Sequence, residues 1–158
     1  MKIFFLQTTC FLILALFLSS CNRGDGNPHQ IPICTVHIDI YLDSFDRDLV
    51  PGRVKTFNNA RGMAGCYGHR NGGVVVINLN GDDFLAWDMA CPNDHWMGGV
   101  VIPFHSLAQA MPDYFHCSMC DTRFNPLDGQ PMTGAATRFV MRQYSVTRVS
   151  DRLVRVYN

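Results

Sequence analysis

The stretch "GGVVVINLNGDDFLAWDMAC" leaves little freedom of local structure. Two apolar runs, "VVVINL" and "FLAWDM", flank an Asn80-Gly81 pair. Such a pair tolerates the positive φ angles of a tight reversal, so the segment predicts an antiparallel hairpin. The same period of two recurs in "CTVHIDIYL", where Val36, Ile38, Ile40 and Leu42 alternate with other residues, as on a half-buried strand. The end of the chain, "RFVMRQYSVTRVSDRLVRVYN", predicts a second pair that turns at Ser150-Asp151, with Val146, Leu153, Val154 and Val156 as its apolar bulk. A hint of helix lies in "FHSLAQAMPDYF", and Pro112 cuts it short. There is no internal repeat and no low-complexity block. The expected class is all-β, with antiparallel sheets of short strands joined by Gly/Pro-rich turns.

The first residues have a different character. "MKIFFLQTTCFLILALFLSSC" carries one Lys, an apolar run and then small residues, the order of a signal peptide. The apolar run is shorter than the roughly 20 residues a spanning helix needs. Its last part, "LFLSSC", resembles the lipobox of bacterial lipoproteins. That resemblance implies that Cys21 is lipidated and becomes the first residue of an exported bacterial lipoprotein. The membrane anchor would then lie on the periplasmic side or at the cell surface. Residues 1–20 are thus expected to be a signal peptide, and residues 21–32, polar and rich in Gly and Pro, a flexible tether. Residues 33–158 remain for the folded part, enough for one domain with one core. The formal net charge is +0. No basic stripe interleaves with aromatics, so nucleic acid is not an expected partner.

Seven cysteines are present. Cys10 leaves with the signal peptide and Cys21 takes the lipid. Cys34, Cys66, Cys91, Cys117 and Cys120 are left, an odd set in an exported chain, where thiols usually pair. Metal ligation is the economical use for the surplus. "ACPNDHW" offers Cys91 with Asn93 and His95 just beyond it, and "HCSMCDTRF" offers Cys117 and Cys120. The C-x₂-C spacing lets two sulfurs bind one ion from a single turn, and soft thiolates suit zinc or iron–sulfur centres. The same spacing occurs in thioredoxin-like redox pairs, but those belong in βαβ units, whereas hairpins dominate here.

The surroundings of these loops, "AWDMACP" and then "HCSMCDTRFNPLDGQPMTGAATRFVMRQYSV", resemble the Rieske family. Phe124, Asp128-Gly129, Pro131 and Gly134 follow the second loop in the family's order, and "YSVTRVSDRLVRVY" is similar to its closing hairpin. The resemblance implies a Rieske-like fold with the site on two loops, a [2Fe–2S] cluster, electron transfer and a redox partner protein. A Rieske cluster takes two Cys on one iron and two His on the other. Cys91 and Cys117 stand where the family has its cysteines, whereas Asn93 and Cys120 stand where it has its histidines. Three arrangements follow. Cys91, His95, Cys117 and Cys120 hold a [2Fe–2S]-type centre; or the same four hold one zinc ion; or the fold carries no metal, two cysteines being paired.

Other residues invite plainer readings. His116, beside Cys117, is expected on the surface or behind the ligands. His105 is expected in solvent, and His37 and His69 are expected to have no function. Trp87 and Trp96 flank the first loop as core and cover. Cys34 and Cys66 are open between a disulfide, which export favours, and two buried thiols. No nucleophile–base set, zinc-protease motif or phosphate loop is present. The chain has no room for the second, mononuclear-iron domain of a Rieske oxygenase, so a carrier or binding role is expected rather than stand-alone catalysis. The runner-up function is a non-redox lipoprotein with zinc or no metal, acting as a structural or interaction module. One expectation is simple to test. A Cys21→Ser chain should move to the soluble fraction, and full retention in membranes would contradict the lipobox reading.

Overall fold

In a computed structural model of the chain, residues 31–58, 66–105, 111–134 and 138–158 are described. The signal peptide, Cys21 and residues 21–30 of the expected tether lie outside them, as do residues 106–110 of the segment with a hint of helix. The described residues form ten strands: β1 (His37–Tyr41), β2 (Arg53–Phe57), β3 (Val74–Asn78), β4 (Phe84–Asp88), β5 (Val101–Phe104), β6 (Tyr114–Cys117), β7 (Thr122–Phe124), β8 (Pro131–Thr133), β9 (Gln143–Ser150) and β10 (Leu153–Tyr157). One sheet has the order β1-β10-β9-β4-β3-β2 and the other β5-β6-β7-β8. Every strand pairing is antiparallel. The expected all-β architecture is therefore present, and no α-helix occurs among the described residues.

β3 explains why two sheets pack. All five of its residues are buried. Alternate side chains of a strand face opposite ways. Val74 and Val76 join one apolar cluster, with Ile38, Ile40, Ala86, Val154 and Val156 of the same sheet. Val75 and Ile77 join the other, with Trp87 of β4 and with Val101, Phe115 and Phe124 of the smaller sheet. The larger sheet therefore packs β1 and β10 against β3 and β4 on one side and holds the smaller sheet on the other. Fully burying one such side chain stabilises by about 1.5–3 kcal/mol, so these two clusters dominate the fold's apolar energetics.

The expected turns are present in longer form. Asn78 pairs with Phe84, and Asn80 organises the loop between them. Its side-chain oxygen accepts from the backbone N–H of Asp82 and Asp83 at 2.9 and 2.8 Å, an Asx-type brace. Gly81 takes a φ of +105°. At the other hairpin Leu153 pairs with Ser150.

Ile31 is fully buried, and its carbonyl accepts from Arg142 Nε at 3.0 Å and Nη2 at 2.5 Å. Cys34 and Cys66 form a disulfide, which resolves the alternative left open by the sequence. His105 departs from its expected solvation. It is half-buried, and its Nδ1 is shielded without a partner among the described residues. No helix of the described residues is long and apolar enough to cross a membrane.

The disulfide joins residues 32 apart. Loop-closure entropy assigns such a bond about 3–4 kcal/mol. Cys34→Ala combined with Cys66→Ala should lower urea-unfolding stability by about that much. An unchanged midpoint would mean that the bond does not constrain the unfolded chain.

Candidate metal centre

The two cysteine loops meet at one end of the small sheet. The first runs from β4 to β5 and is closed at its root by Val101 N–H donating to Met89 O at 2.7 Å and by Cys91 N–H donating to Gly99 O at 2.9 Å. Inside it, His95 N–H donates to Cys91 O at 2.8 Å, which folds residues 91–95 into a single turn. The turn brings residue 94 back towards Cys91. Gly99 leaves space for that: a Cβ there would lie 2.6 Å from the Asp94 Cβ. Gly99 N–H also donates to Asp94 O at 2.9 Å.

The second loop is the β6–β7 connection. Cys117 pairs with Thr122, leaving residues 118–121 to reverse the chain. Asp121 takes a φ of +53°, the left-handed conformation that Asp tolerates. His116 Nε2 lies 2.9 Å from Asp121 Oδ1, so His116 braces this loop.

Three sulfurs and a carboxylate converge. Cys91 Sγ is 3.6 Å from Cys120 Sγ. Asp94 Oδ2 is 3.8 Å from Cys91 Sγ and 3.6 Å from Cys117 Sγ. The ligand atoms of Cys91, Asp94, Cys117 and Cys120 all lie within 4.8 Å of one another. All three cysteines are free thiols. Cys91 and Cys117 are fully buried, and Cys120 is half-buried, with its Sγ 3.1 Å from Thr122 Oγ1. Burial pushes the Cys91 thiol far above its usual range and raises that of Cys120 as well. Without a cation these groups stay protonated; a metal ion reverses that balance, since it binds and stabilises the thiolate.

Three of the four residues expected from the sequence are thus brought together: Cys91, Cys117 and Cys120. His95 is not among the group. Its Nδ1 lies 3.2 Å from Pro92 O, and its ring meets that of His69 edge-on at 5.2 Å. Asp94 takes the fourth place, one residue earlier. The sequence did carry a signal for it, because Cys91-x₂-Asp94 has the same spacing as Cys117-x₂-Cys120. Trp87 is core as expected, with its indole N–H donating to Pro126 O at 2.9 Å. Trp96 is not a cover: it is 62% exposed.

The donor set does not fit a Rieske cluster. Such a cluster needs two imidazoles on one of its irons, and the group holds three thiols and a carboxylate. What the group does fit is a thiolate-rich metal centre closed by protein ligands.

A buried carboxylate holds the base of the first loop. Asp88 is fully buried at the end of β4. Its Oδ2 accepts from His69 N–H at 2.7 Å and Tyr144 O–H at 2.6 Å, and its Oδ1 from Ala90 N–H at 2.8 Å. These bonds tie β9 and the segment before β3 to the residues leading into Cys91. Burial, with the Asp88 carboxylate beside it, pushes the Tyr144 phenol well above its ordinary value. The folded chain therefore keeps a proton that the unfolded chain gives up at about pH 10. Stability from this pair is full below that pH and declines above it. Tyr144→Phe leaves Asp88 short of a donor and should cost about 1–3 kcal/mol at neutral pH. The same change should make the alkaline decline shallower, as measured by urea unfolding across pH 8–11. An unaltered alkaline slope would contradict this role.

No protein-family model matches the chain, and no curated protein does. Several solved structures are similar in part. The ferredoxin of carbazole 1,9a-dioxygenase from Nocardioides aromaticivorans IC177 is 23% identical, covering 78% of this chain and 97% of its own, with a TM-score of 0.41. A putative NADH-dependent nitrite reductase small subunit from Mycobacterium tuberculosis is 16% identical over 78% of this chain and 96% of its own, with a TM-score of 0.44. The E. coli protein NirD is 18% identical over 78% of this chain and 97% of its own, with a TM-score of 0.41.

Proposed function

We propose that this chain is an exported, lipid-anchored metalloprotein with a Rieske-type scaffold, and that it relays electrons to a partner protein through a thiolate-held centre on its two loops. The observation that carries the reading is the convergence of Cys91, Cys117 and Cys120 from two separate loops onto one buried point. Four protein donors fill a tetrahedral ion's coordination, so no position is left for substrate or water. A closed centre of that kind transfers electrons or holds a fold together; it does not bind and activate a substrate. Two features favour electron transfer. Cys120, half-buried, brings the centre close to the surface. Trp96, Met97 and Met119, from the same two loops, are more than half exposed, an apolar rim of the type protein partners cover. Lipid on Cys21 and the tether behind it would keep the domain at a membrane surface.

A second reading is a structural zinc centre in a non-redox module. It is favoured by the short, even spacing of the donors, which is the spacing zinc takes from thiolates. Iron bound by thiolates absorbs in the visible, whereas zinc is colourless. The chain purified without oxygen is expected to be coloured and to bleach reversibly on reduction, with loss of the colour in Cys91→Ser, Cys117→Ser and Cys120→Ser. A colourless protein with bound zinc favours the second reading, and a chain that binds neither ion contradicts both.

A further inference from the structure

The resemblance to Rieske proteins implies two irons and two imidazoles, and the donors present answer to neither. From their geometry we infer that the centre holds a single tetrahedral ion, bound by Cys91, Cys117, Cys120 and Asp94, rather than a two-iron cluster. This rests on the reading that the two loops bind metal, and it deepens that reading.

A tetrahedral ion with sulfur at about 2.3 Å and oxygen at about 2.0–2.2 Å places its ligands about 3.5–3.8 Å from one another. The observed distances are 3.6 Å for Cys91 to Cys120, 3.6 Å for Cys117 to Asp94 and 3.8 Å for Cys91 to Asp94. In a two-iron cluster the donors divide into two pairs, and the iron–iron axis and the bridging sulfides separate one pair from the other. Here the four donors do not divide: each lies within 4.8 Å of every other.

Asp94 is placed as a fourth donor. It is 5% exposed, and among the described residues it makes no ion pair with Lys or Arg. Its Oδ1 accepts from Asn93 Nδ2 at 2.8 Å, which leaves Oδ2 directed at the sulfurs as a one-oxygen ligand. That oxygen meets the weak thiol donors of Cys91 and Cys117, so a cation placed among them would gain the carboxylate and the sulfurs as ligands together. Asn93, which stands in the family's histidine position, is then a positioning residue: it orients the ligand next to it. Gly99 does the same from the other side by leaving room for the Asp94 backbone.

The test uses the full-length chain, purified without oxygen from cells supplied with iron, zinc or cobalt, and analysed for metal and acid-labile sulfide. The expected result is one metal ion per chain with no labile sulfide. Asp94→Asn should weaken zinc or cobalt binding by more than the roughly 10–100-fold that loss of an outer-shell partner costs, and Asn93→Ala should weaken it within that range. His95→Ala should leave affinity and the cobalt spectrum unchanged. Asp94→Cys restores a fourth anionic donor, so it should keep one ion and strengthen the sulfur-to-cobalt absorption; it decides the matter if Asp94→Asn fails to fold. Two irons with labile sulfide would overturn the single-ion inference while leaving the metal-centre reading intact. So would an Asp94→Cys chain whose cobalt spectrum matches the parent's. A chain that takes up no metal of any kind overturns both.

Discussion

The Asp94 carboxylate is out of water and surrounded by sulfur, and no lysine or arginine among the described residues pairs with it. Removing a charge from water costs several kcal/mol unless an opposite charge compensates. The groups that face the Asp94 Oδ2 are the thiols of Cys91 and Cys117, at 3.8 and 3.6 Å, and a thiol is a weak hydrogen-bond donor that compensates only in part. A cation in their midst would stabilise the carboxylate and lower the thiols' affinity for protons. The loop geometry is consistent with that demand. The first loop is wound tightly enough to return residue 94 to Cys91, and the second turns through a left-handed Asp121.

The scaffold holds these loops through the strands that precede and follow them. Cys91 and Cys117 belong to the apolar cluster that joins the two sheets, so the site is continuous with the core and not an appendage. Asp88 fixes the entry to the first loop with three hydrogen bonds from three parts of the chain. After the second loop, Gly129 lies against the Trp87 ring; a Cβ there would come within 2.6 Å of it. The chain that follows the site is thereby pressed onto the same tryptophan that β4 contributes to the core. Rigidity of this kind suits the proposed electron-transfer role, in which a centre would keep its geometry through a change of charge.

Much of this was legible in the sequence because strand structure is a local signal. The alternation around Ile38 and Ile40, the Asn80-Gly81 reversal and the closing hairpin each predict their own element. The grouping of Cys91, Cys117 and Cys120 was legible from residue type and spacing. That Asp94 joins them was not, because whether Asp94 or His95 does so depends on where a single turn points each side chain. Adjacent residues on that turn diverge: one enters the group and the other turns to His69. A histidine is the commoner partner of thiolates, and residue type alone favoured it. The Cys34–Cys66 bond was undecidable for a related reason, since the intervening residues give no local clue to whether their ends meet. Trp96 was read as a cover because large aromatics usually bury, yet it is 62% exposed, with its indole N–H donating to Asn93 O at 3.1 Å.

X-ray absorption at the edge of the bound metal tests the central claim most directly, because it counts the neighbours of the ion itself. The account predicts three sulfur neighbours, one oxygen neighbour and no second metal atom in the next shell, with the oxygen lost in Asp94→Cys. A metal–metal distance in that shell, or an imidazole nitrogen in place of the oxygen, would contradict it.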